Sequence, residues 1–337
     1  MRIKEDKEHM FQNLFQKFSE QKIAVIGDVM LDTYWFGSTD RISPEAPVPV
    51  VAVKKMEYRL GGAANVALNL LALNASVSIH SVVGNDTDAD TLLQMFTNIG
   101  IDASHTLRSG NRLTTNKIRI VSRNQHLLRL DNEIQSDLDA ETESVFIQAT
   151  IDAFNKNKPD VVIFEDYNKG VLTENVISRL MNYCNENNII TAVDPKRKNF
   201  FAYRHAGIFK PNLKEVADAL GILDIKPAFD GLTHIHQQLQ KQLEHQVSLI
   251  TLSEHGVFVA DKNNSAIYPA HLRTIADVSG AGDTVIAVAS LVYACTLDKD
   301  LTAKIANLAG GIVCEEVGTV AINAGKLLAE CENTITI

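Results

Sequence analysis

Short, unbroken apolar runs alternate along this chain with longer segments in which apolar residues recur every three or four positions. The first run is Lys22–Gly27, where Ile23, Ala24, Val25 and Ile26 are contiguous. A run without polar alternation suits a strand buried on both faces of a parallel sheet. Comparable runs predict strands at Val77–Val83, Val161–Phe164, Ile189–Val193, Ile208–Phe209 and Val247–Leu252. Between them the spacing turns helical, at Gly62–Leu73, Thr91–Ile99, Leu138–Phe154, Asn175–Asn185, Leu213–Leu220 and Ile235–Leu243. Strand and helix in alternation mean βαβ units. The expected class is α/β, with a doubly wound, mostly parallel sheet and helices on both faces. An amphipathic helix carrying Met10, Phe11, Leu14, Phe15 and Phe18 precedes the first strand.

Two stretches break the alternation. Val48–Met56 alternates like a half-exposed strand, and Asn116–Val121 with Leu127–Leu130 reads as a hairpin around Arg123-Asn124-Gln125. Strands without crossover helices join a parallel sheet poorly. Residues of about 33–58 and 112–131 are therefore expected to form a small β lid over an active site; an edge sheet without function is the alternative. No repeat, linker or charge block divides the chain, so one domain over residues 1–337 is expected.

Composition narrows the class. Hydrophobic residues make up 45% and charged residues 22%, enough for a full core without disulfides. The net charge of −9 counts against a nucleic-acid partner, but not against a phosphate site built from a few local cations. Cys184, Cys295, Cys314 and Cys331 show neither C-x-x-C nor metal-ligand spacing and read as packing residues in a reducing compartment. The start of the chain lacks the pattern of a signal peptide, and the apolar run Val285–Cys295 is too short to span a bilayer. The expected setting is the cytoplasm, without a membrane partner.

The strongest local chemistry is Asp277-Val278-Ser279-Gly280-Ala281-Gly282-Asp283-Thr284, followed directly by an apolar helical run. Gly280, Ala281 and Gly282 let backbone N–H groups converge at a helix start, where the dipole favours an anion such as a transferring phosphoryl group. Asp283 stands where it can accept the proton of an attacking hydroxyl. A glycine turn with an ordinary helix-capping Asp is the bland alternative. The chain has no G-x-x-x-x-G-K-[ST], no protein-kinase motif set and no G-x-G-x-x-G. Any phosphoryl transfer must use another apparatus.

Three further segments stand in order with that turn: Leu60-Gly61-Gly62-Ala63-Ala64-Asn65 ahead of a helix, Lys210-Pro211-Asn212-Leu213-Lys214-Glu215 after a short strand, and Thr251-Leu252-Ser253-Glu254-His255-Gly256 at the end of another. Together the four resemble the ribokinase-like (PfkB) carbohydrate kinases over essentially the whole chain. The resemblance implies ATP and Mg²⁺ as cofactors. It implies that Gly61 and Gly62 hold sugar hydroxyls, and that the segment Asn212, Leu213, Lys214 and Glu215 places magnesium and phosphate. Glu215 would act on the metal directly or through water. Ser253, Glu254 and Gly256 would contact nucleotide phosphates, and Asn307 would lie near the adenine. Gly280, Ala281, Gly282 and Asp283 become the anion hole and base.

A closer likeness lies in Met30–Gly37, Arg41–Val50, Lys117–Gln125, Leu128–Asp131, Asp166-Tyr167-Asn168-Lys169-Gly170 and Asp194-Pro195-Lys196. These resemble the heptose-7-phosphate kinases of that family. The likeness implies phosphorylation of an anomeric C1 hydroxyl to a 1,7-bisphosphate that feeds ADP-heptose and lipopolysaccharide core synthesis. A sugar phosphate needs cations at its remote end. Arg119, Arg129, Lys169 and Lys196 are the candidates, with Asp32, Asn65 and Asp166 toward the ring hydroxyls. Another PfkB-type kinase, for a ketose phosphate or a keto-deoxy sugar acid, is the alternative; a non-catalytic sensor is the remote one. Relatives often carry a fused nucleotidyltransferase. No H-x-G-H is present, so a single-function form is expected. Asn168, Ser279 and Glu316 depart from the usual small residue, Thr and Lys. A homodimer through the lid is expected, since exposed strands seek partners. Asp86, Asp88 and Asp90 imitate a calcium loop but lack its Gly and Glu, and read as acid at a helix start. His234 and His236 face different directions on a helix and do not read as a metal pair.

Overall fold

The computed structural model describes residues 2–123, 125–223 and 225–336; Asn124, in the expected hairpin turn, lies outside them. The strands are β1 (Lys22–Gly27), β2 (Val29–Ile42), β3 (Pro49–Gly62), β4 (Ser76–Gly84), β5 (Asp102–Ser109), β6 (Thr115–Ser122), β7 (Gln125–Asn132), β8 (Val161–Glu165), β9 (Ile190–Asp194), β10 (Ile208–Phe209), β11 (Val247–Thr251), β12 (Val257–Ala260) and β13 (Ser265–Tyr268). The helices are α1 (Arg2–Phe18), α2 (Ala63–Ala72), α3 (Thr87–Ile99), α4 (Ala140–Lys156), α5 (Glu174–Glu186), α6 (Leu213–Leu220), α7 (Phe229–Leu243), α8 (Ala281–Thr296), α9 (Lys299–Val313) and α10 (Ala324–Thr334).

Nine described strands form the main sheet in the order β13-β12-β11-β10-β9-β8-β1-β4-β5. From β11 to β5 the neighbours run parallel; β12 and β13 turn back antiparallel at one edge. Side chains alternate across a strand. In β1, Ile23 and Val25 enter one core, with α1, α2, α3, α8, α9 and α10. Ala24 and Ile26 enter the other, with α4, α5 and α7. Continuous apolar runs are thus the mark of two cores sharing one sheet. The strands read from such runs are all present. The runs do not reveal β5, whose pattern is largely polar and half-exposed, or the short strands β12 and β13.

The remaining strands form a second sheet, β3-β2-β6-β7. Here β2 pairs antiparallel with β3 and parallel with β6, and β6 pairs antiparallel with β7. The expected hairpin and half-exposed strand both belong to it. β2 begins earlier than the expected boundary, because Val29, Met30 and Leu31 are buried against the body. Register partners share a face. One face therefore carries Asp32, Tyr34, Glu57, Arg59, Lys117, Arg119, Arg129 and Asp131, and the other Met56, Tyr58, Ile118, Ile120, Leu128 and Leu130. The charged face turns toward the body: Lys117 Nζ lies over the Tyr167 ring, and Arg59 donates to the Val317 carbonyl. On the outward face Met56, Tyr58, Leu128 and Leu130 are exposed. This inverts the usual amphipathic sheet.

The acidic run at 86–90 is a helix start: Asp86 Oδ1 accepts from Ala89 N at 2.8 Å and caps α3. His236 and His234 take separate partners, Ser248 and Gln238. Among the described residues no helix is long and apolar enough to cross a membrane.

Candidate active site

Four neighbouring strands, β10, β9, β8 and β1, end side by side in polar residues: Lys210, Asp194, Glu165 with Asp166, and Asp28. The carboxyl ends of parallel strands are where open α/β sheets bind ligands. Asp28 is buried and ties down the turn that follows β8, accepting from the backbone N–H of Tyr167, Lys169 and Val171 at 2.9, 3.0 and 3.1 Å. Asn168 sits in that turn at φ 53°, a left-handed conformation that Asn tolerates, so its departure from a small residue does no harm.

Over these ends comes the start of α8. Gly280 has φ 77°, and a Cβ there would lie 2.7 Å from Asn65 Nδ2, so only glycine fits. Among the described residues no side chain makes a capping hydrogen bond at this helix start. A Cβ on Gly282 would point into space bounded by Lys210 Nζ at 3.7 Å and Asp194 Oδ2 at 3.9 Å. The unusual dihedral thus belongs to Gly280, whereas Gly282 keeps a space open.

Asp283, in the first turn of α8, is only 3% exposed. Asn65 Nδ2 donates to its Oδ2 and the Tyr167 hydroxyl to its Oδ1, both at 2.7 Å. Burial pushes its carboxyl above the ordinary range, with Asp194 adding to the rise and Asn65 and Tyr167 opposing it. Oxygens of Glu165, Asp194 and Asp283 lie within 4.8 Å of one another. Burial, then Asp194 and Asp283, hold Glu165 well above its usual range. Both its carboxylate oxygens are buried, and among the described residues neither has a hydrogen-bond partner. Burial alone would also raise Asp194, but Lys196 and Lys210 hold it below the ordinary value. Lys210 reaches Asp194 at 2.7 Å; Lys196 reaches Asp194 at 3.4 Å and Glu215 at 2.6 Å. Glu215 Oε2 accepts from Asn212 N, and Asn212 Oδ1 from Glu215 N, each at 2.8 Å, a capping box that opens α6 with Leu213 and Lys214.

The other candidates spread around this centre. Asp32 is buried and paired with Arg119 at 2.5 Å; a Cβ on Gly61 would lie 2.6 Å from its Oδ2. Asp166 accepts from the Tyr203 hydroxyl at 2.8 Å, and burial pushes its pKa up to about 7. Lys169 pairs with Glu133 at 2.7 Å. Arg129 lies on the edge strand β7, 59% exposed, paired twice with Asp131. Ser253, Glu254 and Gly256 form the turn between β11 and β12, and Asn307 Nδ2 donates to the Pro269 carbonyl at 2.8 Å. Motif reading did not single out Asp28, Glu165, Lys210 or Lys117 as site residues. Charged residues ending consecutive buried strands are the signal that could have found the first three.

The residues fit a magnesium ion. Hard cations take oxygen ligands, and the orphaned Glu165 carboxylate beside Asp194 offers such oxygens. Glu215 already has both oxygens engaged, so it would reach a metal through water or after releasing Lys196.

Known proteins share this architecture. A family model described as "pfkB family carbohydrate kinase" matches residues 20–324. Bifunctional protein HldE from Methylobacillus flagellatus is 40% identical over 312 residues, covering 92% of this chain and 63% of that protein. Bifunctional protein HldE from Aliarcobacter butzleri is 40% identical over 305 residues, covering 90% and 63%. The chain thus spans less than two thirds of the length of these relatives. Among solved structures, phosphofructokinase-2 from Escherichia coli in complex with potassium superposes with a TM-score of 0.77 at 15% identity, covering 92% of this chain and 99% of that one. Ribokinase from Thermotoga maritima superposes with a TM-score of 0.67 at 16% identity, covering 93% and 100%. The fold is ribokinase-like, and the chain belongs to the pfkB family of carbohydrate kinases, phosphotransferases that act on a sugar hydroxyl.

Proposed function

We propose that this chain transfers the terminal phosphoryl group of ATP to the C1 hydroxyl of a heptose 7-phosphate. The observation that carries the reading is Asp283: a buried carboxylate held by two donors, directly behind an uncapped glycine-rich helix start. The acceptor hydroxyl gives its proton to Asp283, whose basicity burial has raised. Asn65 and Tyr167 fix the carboxylate's orientation and leave it lone pairs for that proton. The first-turn N–H groups of α8 and the Lys210 ammonium face the space beside Gly282, where negative charge on the moving phosphoryl group is stabilised. Glu165 and Asp194, with Glu215 through water, would hold a magnesium ion, which would neutralise the nucleotide phosphates.

The second sheet acts as a lid that shields the site from water, its charged face over the acceptor. Its outward apolar face is the place for a second copy of the chain, giving a homodimer, because exposed apolar area of this kind marks an interaction surface. The setting is the cytoplasm. Matches to proteins named HldE favour heptose phosphate over a ketose phosphate or keto-deoxy acid. Incubation with ATP, magnesium and a panel of sugars, read by mass spectrometry, tests the substrate. A 1,7-bisphosphate from the heptose phosphate supports it. Turnover confined to fructose 6-phosphate or a keto-deoxy acid would sink it.

A further inference from the structure

The cations around the site are almost all committed. Arg119 holds Asp32 at 2.5 Å, Lys169 holds Glu133 at 2.7 Å, and Arg129 holds Asp131 at 2.8 Å. Lys196 and Lys210 share Asp194, at 3.4 and 2.7 Å. Lys117 differs. It sits on β6 between Asp32 of β2 and Asp131 of β7, on the charged face of the second sheet. Asp32, Glu133 and Asp131 all act on it electrostatically, yet each is already paired with another cation. Among the described residues Lys117 Nζ has no hydrogen bond and no ion pair; its only specific neighbour is the Tyr167 ring, 5.3 Å away. Burial and the nearby Lys169 make its charge less favourable, so the ammonium gains from an arriving anion.

Its position suits one part of an acceptor. The far end of the same tyrosine donates to Asp283, so one aromatic ring separates the Lys117 ammonium from the base. A sugar whose reacting hydroxyl meets Asp283 would direct its distal substituent toward the second sheet. A cation lying over a ring face is weakly held and exchanges that contact readily for a charge-assisted hydrogen bond.

We propose that Lys117 is the cation that receives the remote phosphate of the acceptor sugar and so sets the preference for a phosphorylated substrate. This rests on the sugar-phosphate reading of the site given above. Lys169 lies next to it and joins only after releasing Glu133. Arg129 stays with Asp131 on the outer strand.

The test compares wild-type enzyme with Lys117→Met, which keeps an unbranched apolar stem but removes the charged ammonium. Both act on heptose 7-phosphate and on unphosphorylated heptose with ATP and magnesium saturating, and ATP is varied separately at saturating sugar. The KM for the phosphorylated sugar is expected to rise by about 10- to 100-fold, the scale of one charge-assisted bond. Its kcat, the KM for ATP and the KM for unphosphorylated heptose are expected to stay near wild type. Lys117→Arg is expected to restore most of the affinity. Thermal unfolding of both variants checks that the fold is intact. Equal losses on both sugars, or a loss in kcat alone, would overturn the role of Lys117 while leaving the substrate reading standing. A wild-type enzyme that turns over both sugars equally would overturn the substrate reading itself, and this inference with it.

Discussion

Two carboxylates at the site have been pushed the same way by burial, and they predict opposite consequences when neutralised. In the proposed mechanism Asp283 accepts the proton, so Asp283→Asn keeps shape and helix position but removes the base. The kcat is expected to fall by roughly 10²–10⁴-fold, the usual scale for loss of a general base, while ATP binding measured by calorimetry survives. Near-normal turnover would remove Asp283 from the mechanism. Asp166, directly after β8, accepts from the Tyr203 hydroxyl, and burial raises its pKa to about 7. Between pH 4 and 7 the folded state holds a proton there that the unfolded chain has released. Stability contributed by this site is therefore lost as pH rises through that window and stays lost above it. Asp166→Asn keeps an acceptor for the Asn168 N–H and a donor for the Tyr203 oxygen, and cannot ionise. In urea unfolding it is expected to exceed wild type at pH 8 by on the order of a few kcal/mol, with the gap closing near pH 4. A gap that widens toward acid would contradict the sign.

At the scale of one element, the first turn of α8 uses its glycines for different ends, and substitution separates them. Gly280 carries the left-handed backbone and the close approach to Asn65. Gly280→Ala is expected to lower stability by about 1–2 kcal/mol from backbone strain and, by displacing Asn65, to lower kcat as well. At Gly282 the backbone is ordinary and the space in front is open toward Lys210 and Asp194. Gly282→Val is expected to leave the thermal midpoint nearly unchanged while removing turnover, because the side chain fills the space the phosphoryl group needs. If Gly282→Val unfolds the protein, the glycine is structural and the anion-hole reading fails. The turn after β8 follows the same logic of backbone held by a buried acid, with Asp28 accepting three N–H groups.

For the whole molecule, the second sheet is the element whose position matters most. Its charged face looks at the body and its apolar face at solvent, with Leu128 at 52% and Leu130 at 42% exposure. A monomer would leave that face wet, so a second copy is the expected cover. Leu128→Asp together with Leu130→Asp should convert the proposed dimer to a folded monomer in sedimentation analysis. Wild-type protein that sediments as a monomer at micromolar concentration would refute the proposal. Because the same sheet carries Lys117, Arg119 and Asp32 on its inner face, the monomeric variant is also expected to bind acceptor less tightly than wild type.

Periodicity by itself determined the α/β class, most of the central strands and their crossover helices, since a strand buried on both faces must be apolar throughout. The glycine turn at a helix start and the acid at the start of α3 were also legible, because local backbone demands write themselves into short spacings; the capping box of Asn212 and Glu215 was not read from the sequence. Strands with exposed or short cores, such as β5, β12 and β13, left too weak a period. The placement of Glu165, Lys210 and Lys117 around the candidate site was decided only by the tertiary structure. Glu165 matters because β8 lies between β9 and β1, an order that no local pattern encodes. Lys117 stands out because its neighbouring acids are claimed by cations from β6, β7 and the turn after β8. Which charges remain unpaired is a property of the assembled site, and no single segment of the chain contains it.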